Sequence, residues 1–191
     1  DEQRFTRGEL AARGNQLARG LAALGLVPGD SVAAVVENGA AFIELYLACF
    51  QTGLYLVPIN HHLAGPEIAY IAENSEAKAF IGSARFAETI SKAATELKIP
   101  LSHRFALGKL DGFRGFEELS AGQSSAPPDK RTAGAIMNYT SGTTGQPKGV
   151  RRLLTGLDPD LMGSLFTGFQ QMFGVKPLDG NVPITGSPLY H

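Results

Sequence analysis

The residues of this chain best suited to chemistry lie in one run, residues 140–149, which holds four hydroxyl side chains, three glycines and one lysine. Glycine lets the backbone adopt positive φ and brings amide N–H groups close to a ligand. Successive amides in such a turn form a concavity that binds anions. The hydroxyls add donors and a candidate metal ligand, and Lys148 adds a mobile positive charge suited to phosphate. The run therefore predicts a polyphosphate site.

Two other interpretations explain this run less well. The Walker loop, G-x-x-x-x-G-K-[ST], has a different spacing, because here Lys148 follows Gly145 by three positions and precedes Gly149 rather than a hydroxyl residue. Pro147 also has no N–H to donate. A hairpin turn without a ligand usually needs only about one or two glycines. The density of hydroxyls therefore favours phosphate binding over a simple turn.

Residues 139–150 resemble the phosphate loop of the adenylate-forming superfamily, which contains acyl-CoA synthetases, adenylation domains of peptide synthetases, and luciferases. The loop of that family reads [ST]-[ST]-G-[ST]-T-G-x-P-K-G, and this chain matches every fixed position. Looser resemblance covers residues 24–32, 45–58 and 188–191. Members of the family are about three times this length, beyond a single domain of about 100–150 residues. The chain is thus identified as an N-terminal fragment resembling an acyl-CoA synthetase.

The resemblance implies an AMP-forming ligase in the full-length protein. A carboxylate, expected to be a fatty acid, would attack the α-phosphate of ATP, release pyrophosphate, and pass from AMP to the thiol of coenzyme A. Mg²⁺ is the implied metal. The family's downstream acidic, ribose-binding and lysine motifs are not in this sequence, so the fragment alone is expected to be inactive. A non-catalytic nucleotide- or partner-binding remnant is the alternative, and neither luciferase-like oxidation nor peptide-synthetase adenylation is excluded.

Correspondence with the family assigns roles to individual residues. Lys148 would offset charge on the β- and γ-phosphates, and His191, in the Pro-Leu-Tyr-His motif, would lie near the acyl pocket and the α-phosphate. Both are therefore the candidate catalytic residues. Thr140 is the candidate Mg²⁺ ligand because a hydroxyl oxygen suits a hard cation, although a strand-end threonine bonded to backbone is equally open. The residues expected to bind the phosphates of ATP are Thr140, Ser141, Gly142, Thr143, Thr144, Gly145 and Lys148.

Three other features are expected to be structural. His61 and His62 are adjacent, so they would point to different sides of a strand and are a poor metal pair. Cys49 lies in an apolar run, where a small buried side chain is expected rather than a nucleophile. An apolar stripe at helical spacing could line an acyl channel, but packing in the core is the expectation; it comprises Leu161, Leu165, Phe166, Phe169, Met172 and Phe173.

Helical and strand patterns alternate along the chain, which predicts an α/β fold with a layered sheet and right-handed crossovers. By the resemblance, this is the incomplete N-terminal portion of the large adenylate-forming domain. Residues 1–119 are predicted to form an α/β subdomain, 120–132 a linker or exposed loop, and 133–191 the start of the next subdomain. Thr6 and Glu9 predict a capping box. The predicted helices span residues 6–24, 38–52, 66–74, 83–97 and 157–173, and the predicted strands 31–36, 55–58, 79–82, 104–107, 134–138, 150–154 and 181–185.

Composition narrows the classes of function. The chain has 191 residues with 17 basic and 18 acidic side chains, so nothing suggests nucleic-acid binding. One cysteine cannot form an internal disulfide and fits a reducing compartment. A signal-peptide pattern and an apolar run of the roughly 20 residues needed to span a bilayer are both missing. A cytoplasmic location is expected, with peripheral membrane contact left open and the oligomeric state not indicated.

Overall fold

The structure of the chain is a computed structural model that describes residues 4–140, 146–176, 180 and 188–190. The described residues form five α-helices: α1 (Arg7–Ala23), α2 (Ala40–Thr52), α3 (Gly65–Asn74), α4 (Ala87–Ala94) and α5 (Pro159–Gln171). Their strands are β1 (Ser31–Val35), β2 (Tyr55–Pro58), β3 (Ala77–Ser83), β4 (Arg104–Leu107), β5 (Arg114–Gly115), β6 (Ala135–Ile136), β7 (Asn138–Thr140) and β8 (Lys148–Val150).

A six-stranded parallel sheet lies at the centre, in the order β5-β4-β3-β1-β2-β6. Successive side chains of a strand point to opposite faces, so Val32 and Ala34 pack with α1 and α2 on one face. Ala33 and Val35 pack with α3 and α4 on the other face. Because both faces are covered, the central strands are mostly apolar. The α/β class predicted from the alternation of helices and strands is confirmed.

A side-chain cap explains where α1 begins, whereas α2 begins without one. The Thr6 hydroxyl accepts a hydrogen bond from the Glu9 amide at 3.1 Å, and the Glu9 carboxylate accepts one from the Thr6 amide at 2.7 Å. The predicted capping box is thus confirmed. The prediction that Asn38 caps α2 is wrong, because the cap residue is Gly39. The Asn38 side chain instead accepts a hydrogen bond from the Leu189 amide.

The end of the sheet nearest the hydroxyl-rich run differs from the prediction. The strand expected over residues 134–138 is divided: β6 pairs with β2, whereas β7 pairs antiparallel with β8 outside the main sheet. The prediction of a strand over 150–154 is wrong except at its first residue, because β8 spans Lys148–Val150 and residues 151–154 form no strand. The helix predicted over 83–97 is shorter, since a 3₁₀ turn (Ala84–Phe86) precedes α4. The strand predicted over 181–185 lies outside the described residues.

The loop between residues 121 and 131 has no helix or strand, yet it lies against α1. Asn15 donates to the Ser125 carbonyl at 2.8 Å, and Arg19 donates to the Pro127 carbonyl at 2.9 Å. These contacts attach the loop to the first helix. The division of the chain into two subdomains at this loop stays a prediction.

The apolar stripe of α5 is not part of the core, so the expectation of core packing is wrong. Phe169 is 59% exposed and Met172 80% exposed, and few of the described residues pack over this helix. The spacing therefore predicted the helix but not its burial. None of the helices in the described ranges is long and apolar enough to cross a membrane.

Candidate phosphate-binding hairpin

The hydroxyl-rich run is carried by the hairpin of β7 and β8. Its register places Thr140 directly opposite Lys148 and Tyr139 opposite Gly149. Opposed residues share a face, with Cβ atoms about 4.5–5.5 Å apart. The Thr140 and Lys148 side chains therefore leave the hairpin on the same face, and both residues are exposed. The other predicted site residues, Ser141–Gly145 and His191, lie outside the described residues.

Tyr139 fastens the hairpin to the end of α3. Its hydroxyl donates a hydrogen bond to Asn74 Oδ1 at 2.7 Å. Burial is the main cause that raises the pKa of Tyr139 to about 12, so the phenol stays a donor at neutral pH. The Tyr139 ring also covers Gly149, where a Cβ would lie 2.8 Å from the ring carbon Cζ. The glycine at this position thus lets the aromatic ring pack across the strand pair.

Further contacts hold the chain on the far side of β8. The Tyr55 hydroxyl donates to the Arg152 carbonyl, and the Arg151 guanidinium lies over the Tyr55 ring, 4.8 Å from its centroid. Arg151 also donates to the Gly29 carbonyl at 2.7 Å and approaches Glu76 at 3.6 Å. The sequence predicted the hydroxyl-rich loop but none of these anchors, because each joins residues far apart in the chain.

A cavity of about 520 Å³ lies beside the hairpin, between α2, β6 and α5. Its walls are largely apolar and include Phe50, Ile136 and Phe166, and Thr140 also lines it. The Asn138 side-chain oxygen, in the same wall, is buried without a hydrogen-bond partner. The base of the predicted phosphate loop therefore adjoins a space suited to an apolar group.

The described part of the Pro-Leu-Tyr-His motif lies past the carboxyl ends of β1 and β2. The Leu189 amide donates to Asn38 Oδ1 at 2.9 Å. The Tyr190 ring meets the His61 ring edge-on, with centroids 5.4 Å apart. Sequence reasoning missed Asn38 and His61 as neighbours of this motif, and no local pattern signals the contact.

His61 and Cys49 have the surroundings of structural residues. The His61 ring stacks on Phe86, with centroids 4.3 Å apart. Cys49 lies on α2, faces the core that α2 shares with α1 and the sheet, and is 1% exposed. Burial raises the pKa of the Cys49 thiol to about 12, so almost none of it is thiolate at neutral pH. The prediction that Cys49 is a buried side chain is confirmed.

Known proteins are similar to this chain in sequence and in fold. The profile of the family described as AMP-binding enzyme matches residues 1–191. A feruloyl-CoA synthase from an Amycolatopsis species is 35% identical over 150 residues, which cover 76% of this chain and 27% of that protein. A crotonobetaine/carnitine–CoA ligase from Salmonella heidelberg (strain SL476) is 29% identical over 197 aligned positions, which cover 99% of this chain and 37% of that protein.

The fold is similar to the crystal structure of apo MatB from Rhodopseudomonas palustris, with a TM-score of 0.71 at 26% identity. That similarity covers 99% of this chain and 36% of the MatB chain. The chain thus spans between 27% and 37% of the length of these three proteins. The profile match over the whole chain places it among the AMP-binding enzymes, the adenylate-forming family whose phosphate loop its residues 139–150 resemble.

Proposed function

We propose that this chain is the N-terminal part of an AMP-forming acid–CoA ligase. The complete protein would convert a carboxylic acid and ATP to an acyl adenylate and then transfer the acyl group to coenzyme A. The single observation that carries the proposal is the hairpin register, which sets Lys148 opposite Thr140 at the base of the loop. Related proteins named as CoA ligases and synthases support the reaction class.

The residues of the hairpin would act by position and charge. Displacement at a phosphate depends mainly on orienting the groups and stabilising developing charge. Lys148 and the loop of residues 141–145 would hold the β- and γ-phosphates as pyrophosphate leaves. His191 would lie near the acyl group and the α-phosphate.

Thr140 is proposed as a Mg²⁺ ligand, since among the described residues it is the threonine paired with Lys148 across the hairpin. Magnesium in nucleotide sites takes few protein ligands and keeps water and phosphate oxygens as the others. Thr140, exposed at the end of β7, could supply one such oxygen. When bound, the ion would neutralise phosphate charge.

The substrate is proposed to be a fatty or aryl carboxylic acid. The largely apolar cavity next to Thr140 supports an acid with an apolar body. The relatives differ in this respect, since one is named for feruloyl-CoA and another for crotonobetaine and carnitine. The single buried cysteine supports a reducing compartment, and a cytoplasmic location is part of the proposal.

The test is ATP–pyrophosphate exchange by the full-length protein with Lys148→Ala. We expect exchange to fall by about 10²–10³-fold, the usual cost of removing one group that stabilises developing charge. Lys148→Arg should retain more activity because it keeps the positive charge. Lys130→Ala is the matched control, since Lys130 is also exposed but lies in the loop against α1. Exchange that is unchanged in Lys148→Ala would contradict the role of the hairpin.

A non-catalytic nucleotide-binding or partner-binding chain is the second candidate. The 191-residue chain alone is expected to make no acyl adenylate. Calorimetric titration with ATP would show whether it binds nucleotide. Acyl-adenylate formation by the isolated chain would rule out this second candidate.

A further inference from the structure

A cluster of polar and aromatic side chains occupies one edge of the sheet and has no part in the hairpin. Glu37 and Asn38 follow β1, His61 follows β2, and Phe86 follows β3. In a parallel sheet the carboxyl ends of the strands meet at one edge, which is where ligands and mobile segments usually dock. Residues distant in sequence are thus brought together there.

The last described segment of the chain, residues 188–190, is attached to this cluster at two points. The Leu189 amide donates to Asn38 Oδ1 at 2.9 Å across 151 positions of sequence, and the Leu189 side chain packs on the core beneath α1 and α2. The Tyr190 ring meets His61 at an interplanar angle of 81°. A backbone hydrogen bond and a ring contact together fix both the position and the direction of the segment.

The His61 ring contacts other rings among the described residues. Its ring stacks on Phe86 at an interplanar angle of 18°. His61 Nδ1 is buried without a hydrogen-bond partner, as is Glu37 Oε2. The ring therefore acts as a packing surface whose edge supports Tyr190.

The charges around His61 favour its neutral form. Burial lowers the pKa of His61, the positive charges of His62 and Arg85 lower it further, and Glu37 opposes them. Tyr190 is the titratable side chain that the segment of residues 188–190 brings against this ring. Protonation would place a positive charge beside Arg85 and His62, so acid should weaken the cluster.

We propose that Asn38 and His61 are positioning residues that dock the segment of residues 188–190, which directly precedes the candidate catalytic residue His191 in the sequence. The catalytic consequence rests on the proposed function, whereas the docking does not. Without these two contacts the segment would have to be ordered in each catalytic cycle. A group displaced by about 1 Å can cost up to about 10²-fold in rate.

Paired substitutions in the full-length protein separate docking from general damage. Asn38→Ala removes the acceptor for the Leu189 amide, whereas Asn38→Asp keeps an oxygen there. His61→Ala removes the packing surface, whereas His61→Phe keeps a ring. We expect kcat for acyl-adenylate formation to fall between about 10- and 100-fold in both alanine variants, with the KM for ATP unchanged. The Asp and Phe variants should recover most of that loss.

His103→Ala is the control, because His103 is also a half-buried histidine but contacts the Lys78 carbonyl instead. Equal loss in His61→Ala and His61→Phe, or wild-type kcat in both alanine variants, would overturn the positioning role.

Hydrogen exchange in peptides that contain Leu189 tests the docking without any catalysis. Asn38→Ala should speed exchange of this amide at least about fivefold, the effect of losing one net hydrogen bond. In the wild type, protection should fall as the pH drops below 6.5, the ordinary pKa of histidine, because undocking would expose the His61 ring and remove part of the burial that lowers its pKa, so that the undocked state binds more protons. His61→Phe should abolish this pH dependence.

The kinetic and hydrogen-exchange measurements together distinguish failure of the proposed function from failure of the docking. If Leu189 exchanges faster in Asn38→Ala but the wild type forms no acyl adenylate, the proposed function is wrong and the docking still holds. Unchanged exchange in Asn38→Ala would overturn the docking itself. Faster exchange with an unchanged kcat would overturn the positioning role alone.

Discussion

Gly134, at the start of β6, shows how closely the hairpin's attachment is packed. A Cβ at this position would lie 2.2 Å from the Cys49 carbonyl oxygen and 2.3 Å from the Leu54 carbonyl oxygen. Both obstacles are backbone atoms, so no side chain can rotate away to make room. The Gly134 amide also donates to the Phe50 carbonyl at 2.7 Å. The absence of a side chain lets β6 approach the end of α2 and enter the sheet.

We therefore expect Gly134→Ala to lower the free energy of unfolding by about 3 kcal/mol, the upper part of the usual range for overpacking. Gly163→Ala is the matched control. Its added Cβ would meet no atom within 4 Å, and alanine in a helix is favoured over glycine by about 0.5–1 kcal/mol. Urea denaturation followed by circular dichroism measures both variants. Equal stability of the two would show that β6 can move away from α2.

Residue types were more predictable than residue contacts. Lys148 and Thr140 follow directly from the spacing of the loop, and the hairpin register then makes them neighbours. Asn38 has the composition of a helix cap, but its acceptor is taken by an amide 151 positions later. Tyr139 reaches Asn74 across 65 positions. Local propensity carries no information about such partners, since tertiary packing chooses them.

At the scale of elements, α5 depends on its own first turn because few of the described residues pack on it. Asp158 caps the helix and accepts hydrogen bonds from the Asp160 amide at 2.8 Å and the Leu161 amide at 3.4 Å. Arg131 forms two hydrogen bonds with the Asp160 carboxylate, at 2.7 and 2.8 Å. This interaction lowers the pKa of Asp160 and links α5 to the chain before β6.

Asp158→Ala should destabilise α5 by about 1 kcal/mol, the typical cost of losing a helix cap. Asp158→Asn is the control, because asparagine supplies the same acceptor oxygen to the first-turn amides. Hydrogen exchange of amides in residues 162–171 measures the effect, and only the alanine variant should exchange faster there. Amides of β1 should be unaffected in both variants. Faster exchange in β1 would mean that α5 unfolds together with the sheet.

Strand bounds were predicted best for strands of the main sheet that are bounded by turn residues. The strands β2 and β4 have the bounds that were predicted, because apolar runs between turn signals need both faces covered. The division between β6 and β7 was missed, since the apolar run of residues 134–138 continues across it. Two tertiary contacts separate β6 from β7: the pairing of β6 with β2, and the hydrogen bond from Tyr139 to Asn74 at the end of α3. Neither is written in a local pattern.

At the scale of the whole molecule, the apolar surface is unevenly distributed. The two core clusters lie on either side of the main sheet, whereas α5 carries large exposed side chains at helical spacing. Leu165 is 56% exposed and Phe173 73% exposed. Contiguous apolar patches of this kind promote association in water. The alternation of helices and strands predicted the fold class. The exposure of the apolar face of α5 could not be predicted, because its sequence has the pattern of a core helix.

The isolated 191-residue chain is therefore expected to self-associate through α5. The Phe169 and Phe173 rings meet edge-on, with centroids 5.1 Å apart. Replacing both with lysine should shift the sedimenting mass toward the monomer value of 20.2 kDa. Val27→Lys combined with Leu101→Lys is the matched control, since both are exposed and far in sequence from α5; it should sediment like the wild type. Cys49 reports folding in every variant, because a buried thiol should resist modification until the core opens. A wild type that sediments as a monomer, or a control pair that dissociates as fully as the α5 pair, would contradict association through this face.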